Sequence, residues 1–167
     1  MRRITRGLVG IVVAMLSLTG LPYAIYLTLA RVWDPHGSPA NKQLVEPTVS
    51  IVLPTYNEER IVENKLQDIV SLEYPMDDVE LVVVDSSDDD TRTVIREFFV
   101  DREVPDLTLL KENERRGLAP ALNDAYAAAS NEIVIKTDCD SKLAGDAVQE
   151  AVMNLADPDV GAVTGRN

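Results

Sequence analysis

From Val49 onward the chain alternates between two kinds of apolar pattern. VSIVLPT (49–55), VELVVVD (79–85), LTLLKE (107–112) and EIVIKTD (132–138) are short, nearly continuous apolar runs rich in β-branched residues. That is the signature of strands buried on both faces. The segments between them carry helical spacing instead. NEERIVENKLQDIVSLEYP sets Val62, Leu66, Ile69 and Val70 on one face, with Glu58 and Glu59 in the first turn, where acids suit the dipole, and Pro75 closing it. SSDDDTRTVIREFF predicts a second helix, capped by Ser87 or Asp88, with Val94, Ile95, Phe98 and Phe99 on one side. GLAPALNDAYAAAS predicts a small-residue helix, Ala144 to Leu155 an amphipathic one, and VGAVTG (160–165) a fifth strand. Strands alternating with helices of this length imply right-handed βαβ units, hence an α/β fold around a parallel sheet.

The N-terminal part follows another rule. Gly7 to Ala30 contains no charged residue and is flanked by Arg2, Arg3 and Arg6 on one side and Arg31 on the other. As a helix at ~1.5 Å per residue it would reach roughly 36 Å, enough for a ~30 Å hydrocarbon core. Tyr23, Tyr26 and Trp33 fall toward its far end, where an aromatic belt would sit, and Pro22 is tolerated in such helices. A secretory signal peptide is the rival reading, but the apolar run is long for one and no small-x-small cleavage site follows. Residues 1–31 are therefore expected to be a single-pass anchor. Residues 32–48 hold three prolines, a glycine, the lone His36 and no apolar periodicity, which predicts a linker. Residues 49–167 form the expected domain.

Charge changes this picture in one respect. The chain of 167 residues carries a formal net charge of −12, yet residues 1–31 hold four arginines and no acid. The rest holds all 28 acidic residues, sixteen of them aspartate, and only five lysines. Such a surface stays hydrated in concentrated salt, where screening removes self-repulsion, and this predicts a salt-loving source; an ordinary acidic protein is the alternative. It carries no electrostatic footprint for nucleic acid. A single cysteine, Cys139, excludes an internal disulfide framework. Three arginines before the span against Arg31 and Lys42 after it weakly favour an internal N-terminus, which would put the acidic domain outside.

Parallel sheets bind ligands at the carboxyl ends of their strands. Three polar clusters fall there: Pro54-Thr55-Tyr56-Asn57-Glu58, Asp85-Ser86-Ser87-Asp88 and Asp138-Cys139-Asp140. Neither G-x-G-x-x-G nor G-x-x-x-x-G-K-[ST] occurs, so the usual phosphate cradles are missing. Asp138 and Asp140, two residues apart after a buried strand, make chemical sense around a hard divalent cation shared with a diphosphate. In an aspartate-rich chain the same pair can also simply solvate a loop. Asp85 either accepts hydrogen bonds from a ribose or base edge, or caps the turn into the next helix.

PTYNE at 54–58, VVVDSSDDDT at 82–91, RRGLAPALNDAYAAA at 115–129 and IVIKTDCD at 133–140, in that order and spacing, resemble the donor-binding half of family 2 glycosyltransferases. The resemblance covers roughly residues 48–165. It implies a GT-A fold, a Rossmann-like nucleotide-binding sheet, and metal-dependent, inverting transfer of a sugar from a nucleotide-diphosphate donor, a UDP-sugar, to a polysaccharide or lipid-linked acceptor. It assigns Pro54, Thr55, Tyr56 and Glu58 to the nucleotide pocket and Asp85 to the base. It places Asp138 at the ribose or sugar and at the metal, Asp140 on Mg²⁺ or Mn²⁺, and Arg116 and Asn123 near the diphosphate and sugar. Leu118-Ala119-Pro120 departs from the polar residue the family often carries after its glycine.

The resemblance also implies an acceptor half with an acidic general base. The chain ends at Asn167, directly after a predicted strand, so no catalytic base is assigned here. The expectation is a truncated product or the N-terminal piece of a longer enzyme, with a separate C-terminal half as a possible partner. A catalytically inactive, membrane-anchored fragment that only binds the donor nucleotide, or is a remnant, is the alternative function. Use of a cytosolic nucleotide places the acidic domain in the cytoplasm, against the weak charge count; a nucleotidyltransferase would need a glycine- and lysine-rich first loop that this chain lacks.

Overall fold

The computed structural model describes residues 15–18, 20–29 and 40–165. The chain separates into two units, Met1–Pro39 and Ala40–Asn167. In the first, the backbone is helical at 15–18 and 20–29, and Leu16, Leu18, Leu21, Ile25 and Leu29 are exposed. The anchor expected over residues 1–31 lies partly outside the described residues. No helix among those described is long and apolar enough to cross a membrane.

The second unit is a four-stranded, all-parallel sheet. Its strands are β1 (Val49–Thr55), β2 (Val79–Asp85), β3 (Asp106–Lys111) and β4 (Ile133–Lys136), in the order β3-β2-β1-β4. The helices are α1 (Val62–Val70), α2 (Thr91–Phe99), α3 (Leu118–Ala128) and α4 (Ala147–Leu155). The central strands are buried almost throughout, whereas β3 and β4 at the edges are only half-covered. Alternate residues of β1 and β2 feed opposite faces. Ile51, Leu53, Leu81 and Val83 join Val62, Leu66 and Ile69 of α1, Ile95 of α2, and Val148 and Val152 of α4. Val52, Val82 and Val84 meet Ala121 and Ala125 of α3. The small side chains of α3 therefore serve as a thin cover for the second face.

This winding creates the site. The chain runs from β1 outward through β2 to β3, then returns through α3 on the other face to lay β4 beside β1. The direction of winding reverses between β1 and β4, and in parallel sheets ligands bind outside the strands' carboxyl ends at such a reversal. Pro54 fits this arrangement. Val52 carbonyl accepts from Thr137 N on the β4 side, and Thr55 carbonyl from Ser86 N on the β2 side. Pro54, in step with Val52, thus directs its missing N–H toward β4 beyond the last paired residue, Lys136.

Three expectations are corrected. The fifth strand over 160–165 does not form: these residues are irregular and mostly exposed, because an extended segment with no partner leaves its backbone groups to water. The N-cap position of the second helix is Asp90 rather than Ser87 or Asp88, with Asp89 Oδ1 accepting from Thr91 N (3.0 Å), and α1 starts at Val62 rather than near Asn57. In both cases the residues before the helix bond to the neighbouring loop instead. Of the expected linker 32–48, the part before Ala40 lies outside the described residues. Residues 40–48 have no helix or strand but are tied to α4 and the turn after it. Asn41 N donates to Asp157 Oδ2 (2.7 Å), Lys42 pairs with Glu150 (2.6 Å), and Gln149 Nε2 donates to Val45 carbonyl (2.9 Å).

Candidate active site

The three polar clusters converge on the carboxyl edge of the sheet. Register aligns Thr55, Asp85 and Lys111, so the exits of β1, β2 and β3 lie side by side. The first two loops are sewn together. Asn57 takes a left-handed backbone (φ 56°), a conformation asparagine tolerates better than most residues. Its N–H donates to Ser87 Oγ (2.8 Å), and its Oδ1 accepts from Asp88 N (3.1 Å). Glu58 N donates to Thr91 Oγ1 (2.8 Å), whose side chain is fully buried at the start of α2. These bonds fix the direction in which Glu58 leaves its loop.

Asp85 is fully buried. Its Oδ1 accepts from Thr55 Oγ1 (2.8 Å) and Ser87 Oγ (2.5 Å), and its Oδ2 pairs with Arg92 Nη2 (2.5 Å). The turn-capping role and the ion pair are thus both present, and a ligand reaches this carboxylate only if Ser87 or Arg92 yields it. Tyr56, 39 % exposed, stands just outside, with the Arg115 guanidinium 3.9 Å from its ring centroid. Arg115 is a residue the motif comparison passed over in favour of its neighbour. Arg116 itself turns to the buried Glu112 (2.8 Å from Nε to Oε1) and to Asp124. Glu112 also accepts from Ser86 Oγ (2.5 Å). Asn123 is exposed on α3.

Asp138 and Asp140 stand on the turn that follows β4. Asp138 Oδ2 accepts from Lys136 Nζ, while Asp140 is exposed and makes no hydrogen bond to the described residues. Glu58 feels both from across the crevice. Its pKa is raised, first by burial and then by repulsion from Asp140, Asp89 and Asp138. Cys139, between the two aspartates, is buried, and burial pushes its thiol up to about 12. It stays a neutral thiol and supplies no soft ligand. Among the described residues no three His, Cys, Asp or Glu side chains stand close enough to enclose a metal alone. Two hard carboxylates on one turn do fit an ion whose remaining positions are filled by phosphate oxygens and water, as magnesium and manganese prefer. An open cavity of about 510 Å³ is lined by Asn57, Glu58, Glu59, Arg60, Ile61 and Asp89, and another of about 300 Å³ borders Glu112, Arg116 and Asp124. Neither is lined by Asp85, Asp138 or Asp140; for the chemistry, the convergence of carboxylates is the stronger guide.

Sequence reasoning also missed Lys65. It lies on α1 at three residues from Val62 and four from Ile69, on the apolar face, and is 1 % exposed. Burial lowers its pKa, while Asp68, Cys139, Asp138 and Asp140 act in the opposite direction. The spacing was the available signal: a lysine on the buried stripe of an amphipathic helix needs an acceptor.

Known proteins bear on this geometry. Residues 50–167 match the model of "Glycosyl transferase family 2". A probable glycosyltransferase, YdaM of Bacillus subtilis (strain 168), is 32% identical over 123 residues, covering 72% of this chain and 29% of its own. The poly-beta-1,6-N-acetyl-D-glucosamine synthase of Staphylococcus epidermidis is 35% identical over 125 residues, with 70% and 28% covered. The chain thus spans under a third of the length of these relatives. Among solved structures, the mannosyltransferase PcManGT from Pyrobaculum calidifontis, in complex with GDP-Man and Mn²⁺, superposes with a TM-score of 0.72 at 38% identity, covering 90% of this chain and 44% of that one. Residues 1–349 of S. aureus TarS, in complex with UDP-GlcNAc, give a TM-score of 0.57 at 25% identity over 62% of this chain and 29% of that one.

Proposed function

The chain belongs to glycosyl transferase family 2, and from that premise we propose that residues 49–167 form the donor-binding half of an inverting, metal-dependent enzyme that uses a UDP-sugar. The observation that carries this reading is the field at Glu58. Carboxylates from two separate loops, Asp138 and Asp140 on one and Asp89 on another, stand near Glu58 and, after its burial, disfavour its charge. A divalent cation held on this edge would relieve that repulsion. Asp140 and Asp138 hold Mg²⁺ or Mn²⁺. When bound, the ion supplies charge neutralisation to the departing nucleoside diphosphate.

The chain's own residues do the rest of the binding. Pro54 keeps the crevice between β1 and β4 open, and Thr55 and Asp85 make its floor. Tyr56, with Arg115 on its face, presents an aromatic wall to the nucleoside, and Asp138 faces the ribose or sugar. Arg116 and Asn123 lie toward the diphosphate and sugar. The acceptor is a polysaccharide or a lipid-linked glycan, and its hydroxyl is deprotonated by an acidic base outside this set of residues, on an acceptor half. Residues 1–31 anchor the protein in a membrane as a single span, supported by the exposed leucines and isoleucine of the first unit, and residues 32–48 link that anchor to a cytoplasmic acidic domain.

The test is calorimetric titration of UDP into the full chain, detergent-solubilised in concentrated KCl, with and without MnCl₂. Binding that requires Mn²⁺ and disappears in Asp140→Ala is the expected result. No metal-dependent heat from protein shown to be folded by circular dichroism would overturn the donor site. A parallel titration that favours GDP would keep the site and move the base assignment.

A further inference from the structure

We propose that Lys65 is a positioning residue for the metal-binding turn: its buried ammonium, from α1, pins Ser141 and so sets where Asp138 and Asp140 stand. The inference rests on the proposed role of those two aspartates. Lys65 Nζ donates to Ser141 carbonyl (2.9 Å) and to Ser141 Oγ (3.3 Å), its only hydrogen-bond acceptors among the described residues. Ser141 Oγ in turn donates to Asp138 carbonyl (2.8 Å), and Ser141 N reaches the same carbonyl (3.3 Å). Since that hydroxyl proton goes to Asp138, the contact of 3.1 Å with Thr137 Oγ1 has Thr137 as donor.

Ser141 therefore closes the turn 138–141 from within, and Lys65 holds the closed turn from beneath. Thr137 ties its entrance to β1 through Val52 carbonyl (3.0 Å). A solvated lysine would do nothing here, because water would offer it equal acceptors. At 1 % exposure the ammonium has exchanged that hydration for Ser141, so moving the turn leaves a buried charge without its acceptors. This makes Lys65 a stiff support for ligands that are themselves on an exposed turn. Outer supports of this kind are worth about 10–100-fold in metal affinity.

Charge and position pull in opposite directions, which makes the proposal testable. If Lys65 acted only as a nearby cation, removing it would tighten binding of another cation. If it acts by position, removing it loosens binding. Mn²⁺ alone is titrated into the full chain in detergent, and free Mn²⁺ is read by electron paramagnetic resonance, with melting temperature followed in parallel. Lys65→Met is expected to bind Mn²⁺ about tenfold more weakly, with Lys65→Arg recovering part of the loss. Ser141→Ala, which keeps the carbonyl that Lys65 Nζ binds, is expected to fall between Lys65→Met and wild type. Unchanged or tighter binding by folded Lys65→Met overturns the proposal. Where Lys65→Met does not fold, Lys65→Arg decides: it keeps the charge but changes the reach to the Ser141 carbonyl, and full wild-type affinity there overturns the proposal as well. A wild-type chain that binds no Mn²⁺ removes the metal site itself, a failure distinct from loss of the support.

Discussion

Asp85 persists as a buried carboxylate because Thr55, Ser87 and Arg92 surround it. Arg92 is the costly partner to lose. Arg92→Leu keeps most of the packing but strands a charge of zero exposure, and breaking such a pair from one side costs about 3–5 kcal/mol. Urea unfolding of the two proteins should show that loss; coincident midpoints would mean that the pair contributes nothing. Glu80, at the opposite end of β2, gives a pH-dependent counterpart. Burial pushes its pKa up, but bonds from Ser130 N, Ser50 and Ser130 Oγ outweigh it and leave the net value lowered. A lowered carboxylate stabilises the fold above its unfolded value, about pH 4.3, and that contribution is lost as pH falls through the folded value. Glu80→Gln should therefore be less stable than wild type at neutral pH, with the gap closing in acid. A gap that stays constant from neutral to acid pH would refute the assignment.

At the level of elements, the turn into α3 depends on one glycine. Gly117 caps the helix with φ 98°, and a β-carbon there would meet nothing within 4 Å. Gly117→Ala thus costs backbone strain rather than a clash, about 1–3 kcal/mol. The same turn carries Arg115 on Tyr56 and Arg116 on Glu112, so the substitution should also weaken nucleotide binding. Denaturation and UDP titration on this variant check both, and a fully neutral substitution would show that the loop relaxes freely. Helix positions were readable because Val62, Leu66 and Ile69, or Val94 and Ile95, recur at the right interval. Helix starts were less so, since Asn57, Glu58 and Asp89 bond across loops that are distant in the chain.

For the whole molecule, the acidic balance makes stability a function of salt. With a net charge of −12 and few lysines to pair with sixteen aspartates, self-repulsion opposes the compact state. The screening length drops from ~10 Å at 0.1 M to ~3 Å at 1 M salt. The melting temperature should rise steadily as KCl is raised from about 0.1 M to molar concentrations. A flat or falling curve would remove the case for a salt-adapted surface.

The buried strands, the helices between them and the placement of Thr55, Asp85, Asp138 and Asp140 after strand ends were legible in the sequence alone. Each depends on local periodicity and on the rule that a parallel sheet gathers its ligands at one edge. Four things were decided only by the tertiary structure: the order β3-β2-β1-β4, the burial of Asp85, the Arg115–Tyr56 contact and the Lys65–Ser141 support. All four arise between segments far apart in the chain. Residue 56 meets 115 between the loops that follow β1 and β3, and residue 65 meets 141 only after α3 has carried the chain back across the sheet. A side chain's neighbours across such a crossover leave no periodic trace, and for that reason the residues proposed for the site could be picked out while those that hold them in place could not.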